Sequence, residues 1–148
     1  MDFQYEFAVV GNLKPPVEIG AGPFGVRNYY EVVGGSIEGK RIRGKVLTGG
    51  GDWLLVGGDG FARLDVRAQF LTEDGAAIYA SYPGLLELNQ KVSKVLVDGG
   101  ETDYGDQYFR VTPRFETGDQ RYAWLNRTLF VAEGRLGAGT VEYKVYRF

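Results

Sequence analysis

At 148 residues, with 44% apolar and 24% charged side chains and a net charge of −2, the chain has the size and balance of one ordered domain. It contains no cysteine and no histidine, which excludes disulfides, thiolate nucleophiles, Ser-His-Asp chemistry and metal sites built on thiolate or imidazole. No basic block marks a nucleic-acid partner, no apolar run reaches the roughly 18 residues of a membrane span, and the N-terminus lacks a secretory signal, so a cytoplasmic address is the default expectation.

Twenty-three glycines and 14% aromatics predict many short strands joined by tight turns. The first strand is expected over Phe3–Val10, with Phe3, Tyr5, Phe7 and Val9 on one face. Asn12–Pro16 breaks it, and a short extended piece follows at Val17–Ile19. Asn28–Val33 reads as a strand turned by Gly34-Gly35, and Lys40–Leu47 as another. Thr48–Gly51 reads as a glycine loop ending in Asp52-Trp53, with a strand over Trp53–Val56. Phe61–Leu71 is the longest strand: Leu64, Val66, Ala68 and Phe70 alternate with Arg63, Asp65, Arg67 and Gln69. Asp74-Gly75 signals a hairpin into Ala76–Tyr82.

Helical spacing then replaces period two. Leu88, Val92, Val95 and Leu96 predict one short helix over Asn89–Asp98, capped by Asn89 and stopped by Gly99. Gly99–Gly105 reads as an acidic, mobile loop. Strands resume at Gln107–Phe115, Tyr122–Glu133 and Thr140–Arg147. Roughly eight to ten sequential strands predict an all-β, single-domain antiparallel barrel with one short helix near residues 89–98; a two-sheet sandwich is the alternative.

The ordered motifs are Val33-Gly34-Gly35, Arg41-Ile42-Arg43-Gly44, Gly50-Gly51-Asp52-Trp53, Leu64-Asp65-Val66-Arg67 and Asp74–Tyr79, followed by Tyr108–Gly118 and Tyr122–Asn126. Together they resemble the bacterial and fungal family of domain-of-unknown-function 3237, also called UPF 0311, over nearly the whole chain. The resemblance implies a small single-domain β-barrel and carries over no catalytic mechanism. Two turn positions depart from the family pattern: Lys40 stands where a proline is common, and Gly57-Gly58 replaces a basic-Pro pair.

Several residue groups are candidates for chemistry. Tyr122, Trp124, Asn126 and Thr128 share one face of the expected strand and would form a flat apolar wall with one amide; plain core packing fits them equally. Arg110, on a face with Tyr108, could bind a carboxylate or a developing enolate, or form a rim ion pair; Arg43 invites the same comparison. Asp65 and Arg67 form either an inward polar network or a solvated outer ladder. Asp52, held against Trp53 in a desolvated loop, could carry a raised pKa and act as base, or simply make a turn. Glu116 could be a base or a rim salt bridge.

The functional expectation is a cofactor-free acid/base enzyme, of isomerase, cyclase or lyase type, acting on a small apolar or aromatic carbonyl or phenolic metabolite. Asp52 or Glu116 would be the base and Arg110 and Asn126 would polarise the carbonyl. Arg43, Trp53, Arg67, Tyr108, Tyr122 and Trp124 would contact the ligand. The alternatives are a non-catalytic carrier or sensor and a structural barrel with a filled interior. A homo-oligomer could form through the last strand, which carries Tyr143, Tyr146 and Phe148.

Overall fold

The computed structural model describes residues 1–148. Its strands are β1 (Gln4–Leu13), β2 (Val17–Gly22), β3 (Gly25–Gly39), β4 (Arg43–Val46), β5 (Gly50–Val56), β6 (Phe61–Thr72) and β7 (Ala77–Glu87). Helix α1 (Gln90–Asp98) follows, then β8 (Phe109–Val111), β9 (Arg114–Glu116), a 3₁₀ helix (Gln120–Arg127), β10 (Phe130–Gly137) and β11 (Thr140–Arg147). Antiparallel pairing runs β1–β3–β5–β6–β7–β8–β10–β11 and returns to β1, so eight strands close into a barrel. Closure leaves no sandwich edge and settles the choice between the two all-β architectures. β2 pairs only with β3, β4 bridges β3 and β6, and β9 pairs with β7.

Period two decides what enters the barrel. On β6, Ala62, Leu64, Val66, Ala68 and Phe70 are buried and the alternate residues Arg63, Asp65, Arg67 and Gln69 are exposed. The Asp65/Arg67 face is therefore the solvated one. At one end of the barrel Phe115 packs against Phe7, Phe70 and Phe130 with ring centroids 5.5, 5.9 and 5.1 Å apart. Outside that cluster Trp124 meets Phe130, and the Arg41 guanidinium lies 3.7 Å over the Trp124 ring. Arg41 also donates to the buried Glu6 carboxylate at 2.6 Å, so a cation, an indole and a carboxylate seal this end.

Several elements differ from the sequence expectation. A bulge between Tyr5 and Phe7 on β1 turns Glu6 inward and leaves Phe3 and Tyr5 exposed. Gly34-Gly35 makes no turn; it lies inside the continuous β3. β5 begins at Gly50, ahead of the expected Trp53. Pro113, which has no N–H to give a ladder, divides the expected Gln107–Phe115 strand into β8 and β9. Residues 120–127 are 3₁₀ helix, started by the Asp119 carboxylate accepting the Arg121 N–H at 2.9 Å. The 99–105 loop is anchored: the buried Thr102 exchanges hydrogen bonds with Leu136, N–H to carbonyl at 2.8 Å and hydroxyl oxygen from N–H at 3.1 Å.

The helix forms where its spacing predicts. The Asn89 side chain accepts the Val92 N–H at 2.9 Å, and Gly99 ends the helix at φ +80°. Only Val92 is buried, so the helix lies on the barrel rather than inside it. β11 is hydrogen-bonded on both sides, by β1 and β10, so its backbone offers no edge to a second copy. No helix is long and apolar enough to cross a membrane.

Candidate functional site

One transverse row of the barrel builds the site. Tyr30 on β3 stands opposite Asp52 on β5; Asp52 stands opposite Val66 on β6; Val66 stands opposite Tyr82 on β7. Directly paired residues point to the same face of a sheet, and Val66 is buried, so the row points inward. Tyr143 enters on β11, its ring 5.5 Å from Tyr82 and 5.4 Å from Phe109.

These side chains line two adjoining hollows. The larger, about 70 Å³, holds Tyr30, Asp52, Leu54, Leu64 and Leu96 in its wall. Asp52 is the sole charged group there, among 14 lining residues of which 13 are hydrophobic. The smaller, about 30 Å³, lies toward Phe70 and Phe115 and has no charged residue. Val32, Tyr82, Val141 and Tyr143 belong to both walls. A groove of about 270 Å³ shares Leu13, Tyr30, Leu96 and Leu136 with the larger hollow and runs past Pro15 and Pro16, which places an entrance beside α1.

The electrostatics follow from that placement. Burial pushes the Asp52 carboxyl up to about 6, and the nearby Asp65 charge adds to the rise. The Asp65 N–H, donating to Asp52 Oδ1 at 3.0 Å, opposes it without cancelling it. Asp52 keeps partial accessibility, as a group lining a hollow should. Burial also raises Tyr30, Tyr82 and Tyr143, and the Asp52 charge raises each of them further. All three stay protonated near neutrality and can donate. The Tyr82 and Tyr143 hydroxyls are close enough to shift one another's titration, although they do not align as a regular hydrogen bond.

Among the residues predicted from sequence, Asp52 alone reaches this interior. Trp53 is its strand neighbour and so faces outward, its ring tilted against Tyr29 at 4.8 Å and 41% exposed; the expected carboxylate–indole contact is absent because the pair lies in a strand, not a loop. Arg110 sits on the outer wall, 5.3 Å over Tyr108, and donates to the Phe109 carbonyl at 3.0 Å. Tyr108 is 50% exposed there. Arg43 pairs with Glu38 at 3.1 Å on the surface. Arg67 and Glu116 line one surface depression with Gln69 and Tyr79, outside the barrel wall.

The Tyr122–Asn126 wall dissolves because the segment is helical. Tyr122 donates to both oxygens of Asp74, at 2.8 and 2.9 Å, and Trp124 caps the sealed end. Asn126 is structural: its oxygen accepts the Thr117 N–H at 2.8 Å and its amide donates to the Thr117 carbonyl at 2.9 Å. Asn126→Ala is expected to cost about 1–3 kcal/mol in urea unfolding, from two lost backbone partners, and to leave interior ligand binding in place by calorimetry. Tyr30 and Tyr82 were not among the predicted residues, and Tyr143, expected on an oligomer surface, is buried in the interior instead. The signal existed: Tyr82 shares parity with Ile78 and Ala80, and Tyr143 with Val141 and Val145.

Fold and interior together define a small closed β-barrel carrying one carboxylate and three tyrosines in an apolar hollow. The chain matches the family model described as protein of unknown function (DUF3237) over residues 1–148, and it belongs to that family. A UPF0311 protein of Rhodopseudomonas palustris strain TIE-1 is 33% identical, over 99% of this chain and 96% of its own length. The crystal structure of a conserved protein of unknown function from Rhodopseudomonas palustris superposes with a TM-score of 0.89 at 31% identity, covering 99% of this chain and 96% of that one. An enzyme from Penicillium herquei superposes with a TM-score of 0.72, covering 99% and 94%; at 19% identity it shares the fold alone.

Proposed function

We propose that the barrel interior binds a small apolar or aromatic carbonyl or phenolic metabolite and that Asp52 moves a proton on it. The observation that carries this reading is a lone carboxylate in an apolar hollow with its pKa raised to about 6. Such a group is mostly ionised at pH 7 and still basic enough to accept a proton, which is the balance a general base needs. A C–H or O–H proton passes to Asp52; the electron pair left behind delocalises onto the substrate oxygen; a tyrosine O–H donates to that oxygen; Asp52 then returns the proton to a different atom. The tyrosines take the role that Arg110 and Asn126 hold in the sequence expectation. The product is an isomer or a cyclised form; where the atom that receives the proton is the oxygen of a β-hydroxyl, that C–O bond breaks, water leaves and the product is an alkene.

The nearly all-apolar wall also suits a carrier that binds without turnover. Deuterium exchange separates the two. The protein is incubated with cyclohexenone or a similar small enone in D₂O, and loss of the α′- and γ-proton signals is followed by NMR. The proton-transfer reading expects catalysed exchange that rises with pH and reaches half its plateau near pH 6, the pKa of Asp52. An enone that binds but exchanges at the buffer rate at every pH leaves the carrier reading in place and removes the catalytic one.

A further inference from the structure

The smaller hollow makes no contribution to proton transfer, yet it is not packed shut. It lies beyond the Tyr82–Tyr143 pair, away from Asp52, and is walled by groups such as Val46, Ala68, Phe70, Phe115 and Val145. Its only polar neighbours are the two tyrosines at its boundary with the larger hollow. Those two hydroxyls, at one boundary, are the fewest partners that hold a buried water, and the rest of the wall is apolar, so the space favours an apolar occupant. Protein interiors rarely leave such gaps, since each forfeits contacts on its lining. Its floor is set by Phe70 and Phe115, whose rings are locked at 5.9 Å in the sealing cluster, so the gap cannot collapse from that side.

We infer that this inner hollow is a second subsite, which receives a short alkyl substituent of a ligand whose oxygen lies with Asp52 and the tyrosines. The inference rests on the interior being the ligand site proposed above, and it names the substrate class more narrowly: a carbonyl or phenolic compound bearing a compact, neutral alkyl group. About 30 Å³ of space fits a methyl group, or an ethyl with slight give in the wall, and excludes a long chain or a charged tail. Val32 and Val141, shared by both walls, would flank the substituent where it passes the tyrosine pair.

The test is a calorimetric series of phenol, 4-methylphenol, 4-ethylphenol, 4-propylphenol and 4-hexylphenol against the whole protein. Affinity is expected to rise by up to about fourfold per methylene while the substituent fits, then to stop rising or fall by hexyl. Ala68→Val reduces the hollow and should bring the ratio of ethyl to unsubstituted affinity toward one. Phe115→Leu enlarges it and should move the optimum to a longer chain. The two variants push in opposite directions, so one that fails to fold leaves the other as the test. If phenols bind with no dependence on the alkyl group, or if both variants leave the ratio unchanged, the inner subsite is wrong while the ligand site stands. If no phenol binds at all, both fall.

Discussion

Asp52→Asn is expected to raise stability at neutral pH and, on the proposed mechanism, to abolish catalysed deuterium exchange. The two effects have one cause. In the unfolded chain Asp52 titrates near 3.9, an ordinary aspartate; in the barrel, burial lifts it to about 6. Between those values the folded state binds more protons than the unfolded one, so stability falls as pH rises through this window. Above it the full penalty applies, about 3 kcal/mol for a shift of about two units. Below about pH 3 both states are protonated and the penalty is gone. Asparagine resembles the protonated form, and its oxygen can still accept the Asp65 N–H. Urea unfolding should therefore show the variant more stable than the parent by up to about 3 kcal/mol at pH 7.5 and nearly equal to it at about pH 3. Exchange should drop by about 10²–10⁴, the usual contribution of a general base. A variant with equal stability at both pH values would mean that Asp52 is not desolvated. Loss of stability at pH 7.5 would mean that its charge is held by a partner. Either result removes the physical basis for the proposed base.

The barrel was legible in the sequence because period two is a local signal. The alternation of β6 could be read residue by residue, the bounds of β11 could be read from its turn, and α1 announced itself by Asn89, its apolar spacing and Gly99. The site was less legible because it is assembled transversely. Tyr30, Asp52 and Tyr82 come from three strands and meet only through register, which no local pattern encodes. Reading Thr48–Gly51 as a loop hid the phase of β5; carried back to Gly50, the alternation puts Asp52 inward with Leu54 and sends Trp53 out. The Tyr122–Asn126 segment misled for another reason. Aromatics at alternate positions suit a strand, but Asp119 starts a helical turn and Asn126 ties its far end to Thr117, and these side-chain bonds outweigh the propensity. The arginines and Glu116 drew notice as functional because they are chemically versatile. In the fold that versatility serves the surface, while the interior relies on one carboxylate and on phenols that composition alone does not separate from core.

Gly34→Ala and Gly35→Ala should differ sharply, although the two residues are adjacent and both read as a turn. β3 runs straight through them, pairing with β5 over its first half and with β1 over its second, and the register with β1 shifts between Asn12 and Leu13 where the pairing changes over. Gly35 takes up the resulting bend at φ +136°, a conformation that L side chains rarely adopt. A Cβ there would also stand 1.8 Å from the Val10 carbonyl oxygen and 2.9 Å from its carbon. Those atoms are backbone in a paired strand, so they cannot swing aside as a side chain would. Strain and clash add, and Gly35→Ala is expected to cost more than about 4 kcal/mol, enough to threaten folding of a domain this size. A Cβ on Gly34 would meet nothing nearer than the Asn12 amide nitrogen at 3.7 Å, an ordinary contact, and its φ is not in the left-handed region. Gly34→Ala should thus fall within about 1 kcal/mol of the parent, with a small gain available from a less flexible unfolded chain. Thermal and urea unfolding of the pair would decide it. Equal tolerance of both changes would show that β1 and β3 do not meet at Val10 and Gly35. The barrel would then have to close in a different β1–β3 register, and Tyr143, carried on β11 beside β1, would lose its place against the row of Tyr30, Asp52 and Tyr82.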